Sequence, residues 1–274
     1  MMKLRVCAIV LFAGTWLSSP ANADIIFTAP PRENLEKGRQ VYQPIAEHLT
    51  RLLGKKVTYK HPTSWLEYQI DMRKDKYDIV FDAAHFVSWR SKNLDATPII
   101  RLPGTSNFFI LVDVNNSEIN NADDLIGKKT CGIGPPNLGT LTIFAQFPNP
   151  VRQPIIYTIK GGFMKSFKTF KEGKCVAVVL RENVYKNKLT DADRASMKTI
   201  VESELIPNQG VTISTRISRA EGEKIVASFT NGDGIKASKN LLNRFAKGQK
   251  AFISTSKKEY EGYSKYLEGI IFGW

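Results

Sequence analysis

The chain has 274 residues, 39 of them Lys or Arg and 26 Asp or Glu, a formal charge of +13. The lysines are scattered in short groups and not gathered into one basic block with interleaved aromatics. That argues against nucleic-acid binding and leaves anionic ligands or surfaces as the partners a basic balance favours. No Cys-x-x-Cys, His-x-x-x-His or carboxylate cluster offers a ligand set, so neither a metal nor any other cofactor is expected.

At the N-terminus, Lys3 and Arg5 precede the short apolar run "VCAIVLFAGTWL", and Ala21–Ala23 fits a small-x-small cleavage site. A spanning helix needs about 20 apolar residues, more than this run offers. Residues 1–23 therefore read as a cleaved export signal and Asp24 as the new N-terminus, with an uncleaved anchor as the alternative. The exported chain is expected in the periplasm, and removing Lys3 and Arg5 lowers the charge from +13 to +11. Of three cysteines, Cys7 leaves with the signal. Cys131 and Cys175 remain in an oxidising compartment, where one disulfide is expected and two buried free thiols are the alternative.

"DIIFTAP" begins the mature chain as a short strand. "NLEKGRQVYQPIAEHLTRLLG" places Leu35, Val41, Ile45, Leu49 and Leu52 at helical spacing and closes on Gly54. "KKVTYKH" alternates like a strand, "SWLEYQIDMRKDK" reads as a helix capped by Ser64, and "YDIVFDAAHF" as a buried strand. This β-α-β-α-β order predicts a parallel sheet covered by helices. The logic restarts with the strand "NFFILVDVN". A short helix and strand follow in "NNADDLIGKKTCGIG", then the helix "GTLTIFAQF". The strand "QPIIYTIKG", the helix "FMKSFKTFKEG" and the buried strand "KCVAVVL" complete the unit. "RAEGEKIVASF" and "SKNLLNRFA" return to helix. If the second unit is inserted into the first, the chain crosses twice, at "GTSNFFILV" and "IPNQGVTIS". One lobe would then comprise 24–106 and 209–274 and the other 107–208. Two sequential domains remain the alternative.

Candidate site residues sit where strands end, since open α/β sheets bind ligands beyond their carboxyl edges. In the first unit these are Trp65, Asp82, His85 and Phe86; in the second, Phe163 and Arg181. Trp65 could wall a ligand, His85 could donate to one or be purely structural, and Arg181 could clamp an acidic group or lie in a surface ion pair. The turn "CGIGPPNLGT" joins two prolines to Asn137, Leu138, Gly139 and Thr140 at a helix start. There unpaired amides and the helix dipole suit an anion, although an ordinary capped helix has the same composition. His48 falls on a helix face that reads as solvated.

Taken together, "PRENLEKGRQVYQPIAEHLTRLLGKKV", "YDIVFDAAHF", "NNADDLIGKKTCGIGPPNLGT", "GGFMKSFKTFKEGKC" and "ELIPNQGV" resemble the periplasmic phosphate/phosphonate-binding proteins of ABC importers, a branch of the type II periplasmic binding proteins. The resemblance implies an α/β fold of two lobes, each a mostly parallel sheet flanked by helices, joined by two crossing strands. It implies capture of a small-molecule ligand and delivery to an inner-membrane ABC permease, with a monomer expected; a sensor docking to a membrane kinase is an alternative on the same scaffold. It carries the family's aromatic contact onto Trp65 and its crossing contact onto Asn107. The hydroxyl cluster that holds the phosphonate falls on Asn137, Leu138, Gly139 and Thr140, which retain only one hydroxyl. A ring-bearing polar contact falls on Phe163, and acidic contacts to an amino group fall near Arg181 and Glu182 and on Gln209. Losing the acid at Gln209 argues against a cationic amine in this pocket. A phosphate, phosphite or phosphonate is the expected ligand, and a larger apolar, lipid- or sterol-like molecule the alternative. No nucleophile elbow, paired carboxylates or metal set appears, and catalysis is not expected.

Overall fold

The structure is a computed structural model describing residues 24–268. The export signal read at 1–23 lies outside the described residues, as do residues 269–274. Among the described residues no helix is long and apolar enough to cross a membrane.

The chain opens with β1 (Ile25–Thr28), α1 (Leu35–Leu53), β2 (Val57–Lys60), α2 (Trp65–Arg73) and β3 (Ile79–Asp82). The stripe Val41, Tyr42, Ile45 and Leu49 buries α1 in one core with Phe27, Ile79 and Phe81. Asn34 caps that helix by accepting from the Lys37 amide, and Gly54 ends it at φ 65°, in the left-handed region that favours glycine. Ser64 caps α2, accepting from the Glu67 amide. The run "YDIVFDAAHF" does not stay extended: α3 (Ala84–Asn93) begins two residues after β3 ends. His85 and Phe86 therefore lie in a first helical turn. Ala83 and Ala84 carry no turn signal, which hides the boundary inside an unbroken apolar run.

Next come β4 (Thr97–Arg101), β5 (Thr105–Ser106) and β6 (Phe108–Asp113). The second unit follows as β7 (Lys129–Gly132), α4 (Leu138–Phe144), β8 (Ile155–Thr158), α5 (Phe163–Lys171) and β9 (Ala177–Arg181). It continues through α6 (Glu182–Lys188), α7 (Asp191–Ala195) and β10 (Met197–Glu202). The chain returns by β11 (Ile206–Pro207) and β12 (Gly210–Ile213) to α8 (Arg219–Asn231), α9 (Gly234–Ala237), α10 (Lys239–Phe245) and β13 (Ile253–Ser254). Sequence patterning misses β4, which is interrupted by Pro98, and the short α6, α7 and β10.

Two sheets result, ordered β13-β4-β12-β3-β1-β2 and β10-β6-β9-β7-β8, with β5 and β11 forming a separate two-stranded ribbon. In the ribbon Ser106 pairs with Ile206 and Thr105 with Pro207, antiparallel. The first sheet is not wholly parallel, as its helical crossovers alone predict. β2, β1 and β3 pair in parallel, but β12 runs against both β3 and β4, and β13 against β4. In the second sheet β8, β7 and β9 pair in parallel, while β6 runs against β9 and β10. The physical reason is shared. Strands β6 and β12 each follow a crossing, so each enters its new sheet at the carboxyl edge and must run down where the others run up. The register shows it: Phe108 opposes Arg181 at the end of β9, and Gly210 opposes Asp82 at the end of β3.

Cys131 of β7 and Cys175 are joined by a disulfide, with their Cα atoms 5.6 Å apart, inside an apolar cluster with Phe167, Phe170 and Leu180. His48 is not on a solvated face: it is buried, 2.7 Å from Ser228 Oγ, with its ring edge-on to Phe229. The helix α8 covers the side of α1 that its own sequence marks as polar.

Candidate functional site

The carboxyl edges of both sheets meet at the β5–β11 ribbon, and the strand-end residues meet there with them. At the end of β3, Asp82 is fully buried. Its oxygens accept from Arg32 Nη2 at 3.0 Å, Arg90 Nη1 at 3.2 Å, the Ala83 amide at 2.7 Å and the Tyr68 hydroxyl. Arg90, itself buried, also donates to Tyr68 Oη at 2.9 Å and to Thr212 Oγ1 at 3.0 Å. Both Asp82 oxygens are thus partnered, as a buried carboxylate requires, while Arg90 Nη2 is left buried without a partner.

Arg32 arrives from the loop after β1 and donates through Nη1 to Gln209 Oε1 at 2.5 Å, on the second crossing. Opposite, at the end of β9, Arg181 donates through Nη2 to Ser106 Oγ and, at 3.4 Å, to Asn208 Oδ1. Among the described residues no carboxylate forms an ion pair with Arg181; the neighbouring Glu182 is taken by Lys186 at 2.5 Å. Burial pulls the Arg181 pKa below the usual guanidinium value, and the positive charge of Arg32 adds to that. Asn107 lies beside it, its carbonyl accepting from the Glu182 amide at 3.0 Å. The Asn107 side chain donates to Glu202 Oε1 at 2.6 Å and leaves Oδ1 buried without a partner.

An aromatic cluster adjoins this polar floor. Trp65 stacks on Phe86 at 6.2 Å and 16°, and Phe108 meets Phe163 at 6.1 Å. Both pairs belong to one apolar cluster with Leu138 that draws on both sheets. His85 spans the same gap, its Nε2–H donating to the Pro136 carbonyl at 3.1 Å while Nδ1 stays buried and unpartnered. The tautomer follows from that acceptor. Burial, helped by the Arg32 and Arg90 charges and opposed by the Pro136 bond, holds its pKa down to about 3, so the ring is neutral.

At the start of α4 the polar groups are turned onto their own turn. Asn137 Oδ1 accepts from the Gly139 amide at 3.0 Å, and the buried Thr140 hydroxyl donates to the Ile133 carbonyl. A Cβ on Gly139 would lie 2.7 Å from the Phe108 ring, so the packing of that ring is what requires glycine here.

The structure therefore brings Arg181, Asn107, Gln209 and Asp82 to one polar floor and Trp65, Phe86, Leu138 and Phe163 to one apolar cluster, in which Trp65 and Phe163 stay partly exposed. It gives Asn137 and Thr140 internal partners. Sequence reading missed Arg32, Ser106 and Asn208. Arg32 follows β1 as Arg181 ends β9, so the strand-end rule applied to β1 would have found it.

Among solved structures with the same fold are a Xanthomonas citri protein bound to chloride and, separately, to ATP. It is 10% identical, with a TM-score of 0.68 over 89% of this chain and 96% of that one. Another is PhnD1 of Prochlorococcus marinus in complex with methylphosphonate, 14% identical, TM-score 0.61, covering 88% and 96%. A third is a binding-protein component of an ABC phosphonate transporter of Pseudomonas aeruginosa, 14% identical, TM-score 0.57, covering 86% and 82%. At these identities they show the shared two-lobed, type II periplasmic binding protein fold. No curated protein matches the sequence. The family model of the periplasmic substrate-binding proteins of phosphonate ABC transporters matches residues 27–260, across both sheets and both crossings, and the chain belongs to that family.

Proposed function

We propose that this periplasmic substrate-binding protein captures a small oxyanion of the phosphate, phosphite or phosphonate type between its lobes. It then presents the ligand, as a monomer, to an inner-membrane ABC permease. The lobes are taken as 24–106 with 209–274, and 107–208. The observation that carries the reading is Arg181, a partly buried guanidinium with neutral partners only, at the junction of the two carboxyl edges. A cation partly withdrawn from water without a counterion is costly until an anion joins it. The ligand closes the lobes because it touches both, and it shifts the open–closed balance by its differential affinity for the closed form.

The partly exposed aromatics favour a second reading, in which the same cleft takes a ligand with a larger apolar body against Trp65 and Phe163. A melting series on the exported chain separates the two. At a ligand concentration about 100 times Kd, binding adds about 2.7 kcal/mol, a rise of several degrees. A rise with phosphite, phosphate or methylphosphonate supports the first reading. A rise confined to fatty acids or sterols supports the second, and none with either set sinks both.

A further inference from the structure

Arg32 and Arg181 reach the junction from opposite lobes and stop on adjacent residues of one crossing. Arg32 ends on Gln209, Arg181 on Asn208, and Asn208 Oδ1 accepts in turn from the Gln209 amide at 2.9 Å. One dipeptide thus holds two like charges close together. Counting Arg90, three guanidiniums share the junction, and Asp82 is the one carboxylate among the described residues that is bonded to any of them. Asp82 has no capacity left, since it already serves Arg32, Arg90, Tyr68 and its neighbouring amide.

We propose that Arg32 and Arg181 form a clamp for the ligand's anionic head, one arm from each lobe, seated at the ribbon. The inference rests on the oxyanion reading and deepens it by naming the seat and the class. Neutral oxygens now face both arms: Gln209 Oε1 on Arg32, Ser106 Oγ and Asn208 Oδ1 on Arg181. An anionic oxygen makes a bond roughly twice as strong as a neutral one, so the head displaces them. Empty, the two guanidiniums resist closure; occupied, they share a counterion and draw the lobes together.

The rest of the ligand carries no amine. The nearest carboxylates are drawn elsewhere: Glu182 pairs with Lys186, Asp82 with Arg32 and Arg90, and Glu33 with Arg244 through one oxygen, while Glu202 accepts from Asn107. The two arginines repel an ammonium group. The class is an alkyl phosphonate or comparable organic anion without an amine.

The test is calorimetric titration of the dialysed exported chain with phosphite, phosphate, ethylphosphonate, 2-aminoethylphosphonate and succinate. It is repeated on Arg32→Gln, Arg181→Gln and Arg181→Lys. The clamp predicts that each Gln variant weakens the bound anion by about 30-fold or more, that Lys recovers part of the loss, and that the amino compound binds at least tenfold more weakly than ethylphosphonate. Arg181 has no carboxylate partner to strand, so its variants fold even if Arg32→Gln does not, and they carry the test alone in that case. Phosphonate affinity unchanged in the Gln variants overturns the clamp and leaves the oxyanion reading intact. Binding of succinate alone, lost in those variants, upholds the clamp and removes phosphonate as the ligand. Equal affinity for the amino compound overturns the stated class, and no binding by any of the five overturns the clamp.

Discussion

Two strand ends face each other across the hinge, and they are finished in opposite ways. At the end of β3, Asp82 is buried with partners on both oxygens, two of them guanidiniums. At the end of β9, Arg181 is partly buried with a hydroxyl and an amide oxygen for company. The same strand-end position holds a structural charge in one lobe and an uncompensated one in the other. The lesson is that position alone does not set a strand-end residue's role; whether its electrostatic demand is met is what separates these two ends.

The sharpest way to break the comparison is to cut each side. Asp82→Asn strands the buried Arg90 and should cost about 3–5 kcal/mol, read as a shift in the urea midpoint. Arg181→Gln should leave that midpoint within about 1 kcal/mol, because no ion pair is lost. If Arg181→Gln destabilises as much as Asp82→Asn, Arg181 is structural and the contrast fails.

His85 gives the next largest effect. Its folded pKa of about 3 lies below the ordinary value of 6.5. The unfolded chain therefore takes up a proton on this ring first as pH falls. The stability is fully present above about pH 6.5 and is lost progressively between 6.5 and 3, by roughly 1.4 kcal/mol per pH unit at most. His48 and His61 shift in the same direction. Thermal melts from pH 7.5 to 4.5 should show a shallower slope in His85→Gln, and an unchanged slope refutes the assignment.

Gly139→Ala should cost about 1–3 kcal/mol by pushing on the Phe108 ring. If affinity falls while stability holds, the glycine serves ligand approach instead. Thr140→Ala has the smallest effect, about 1 kcal/mol from the bond to Ile133. Affinity within twofold of the parent would make that hydroxyl a support of the turn, and a large loss would restore it as a ligand contact.

Much of the fold was legible. The helical stripe of α1, its Gly54 stop, the Ser64 cap and the restart of β-α-β logic near Asn107 are local signals, and each produced its element. The antiparallel β12 and β6 were not legible, because strand direction is set by where a crossing enters a sheet, and no residue pattern encodes that. The site divides along the same line. Arg181 and Gln209 could be named from strand ends and the resemblance. Arg32 could not be paired with Gln209 across 177 residues, since long-range hydrogen bonds leave no periodic trace. His48 misled because α8, which buries it, arrives late in the chain.

The claim on which the rest depends is where the ligand's charge sits. A crystal structure with methylphosphonate bound tests it most directly. The account predicts phosphonate oxygens about 3 Å from the guanidinium nitrogens of both Arg181 and Arg32, with Gln209 and Asn208 displaced. A phosphonate seated on the amides at the start of α4, with Arg181 still bonded to Ser106, would contradict it.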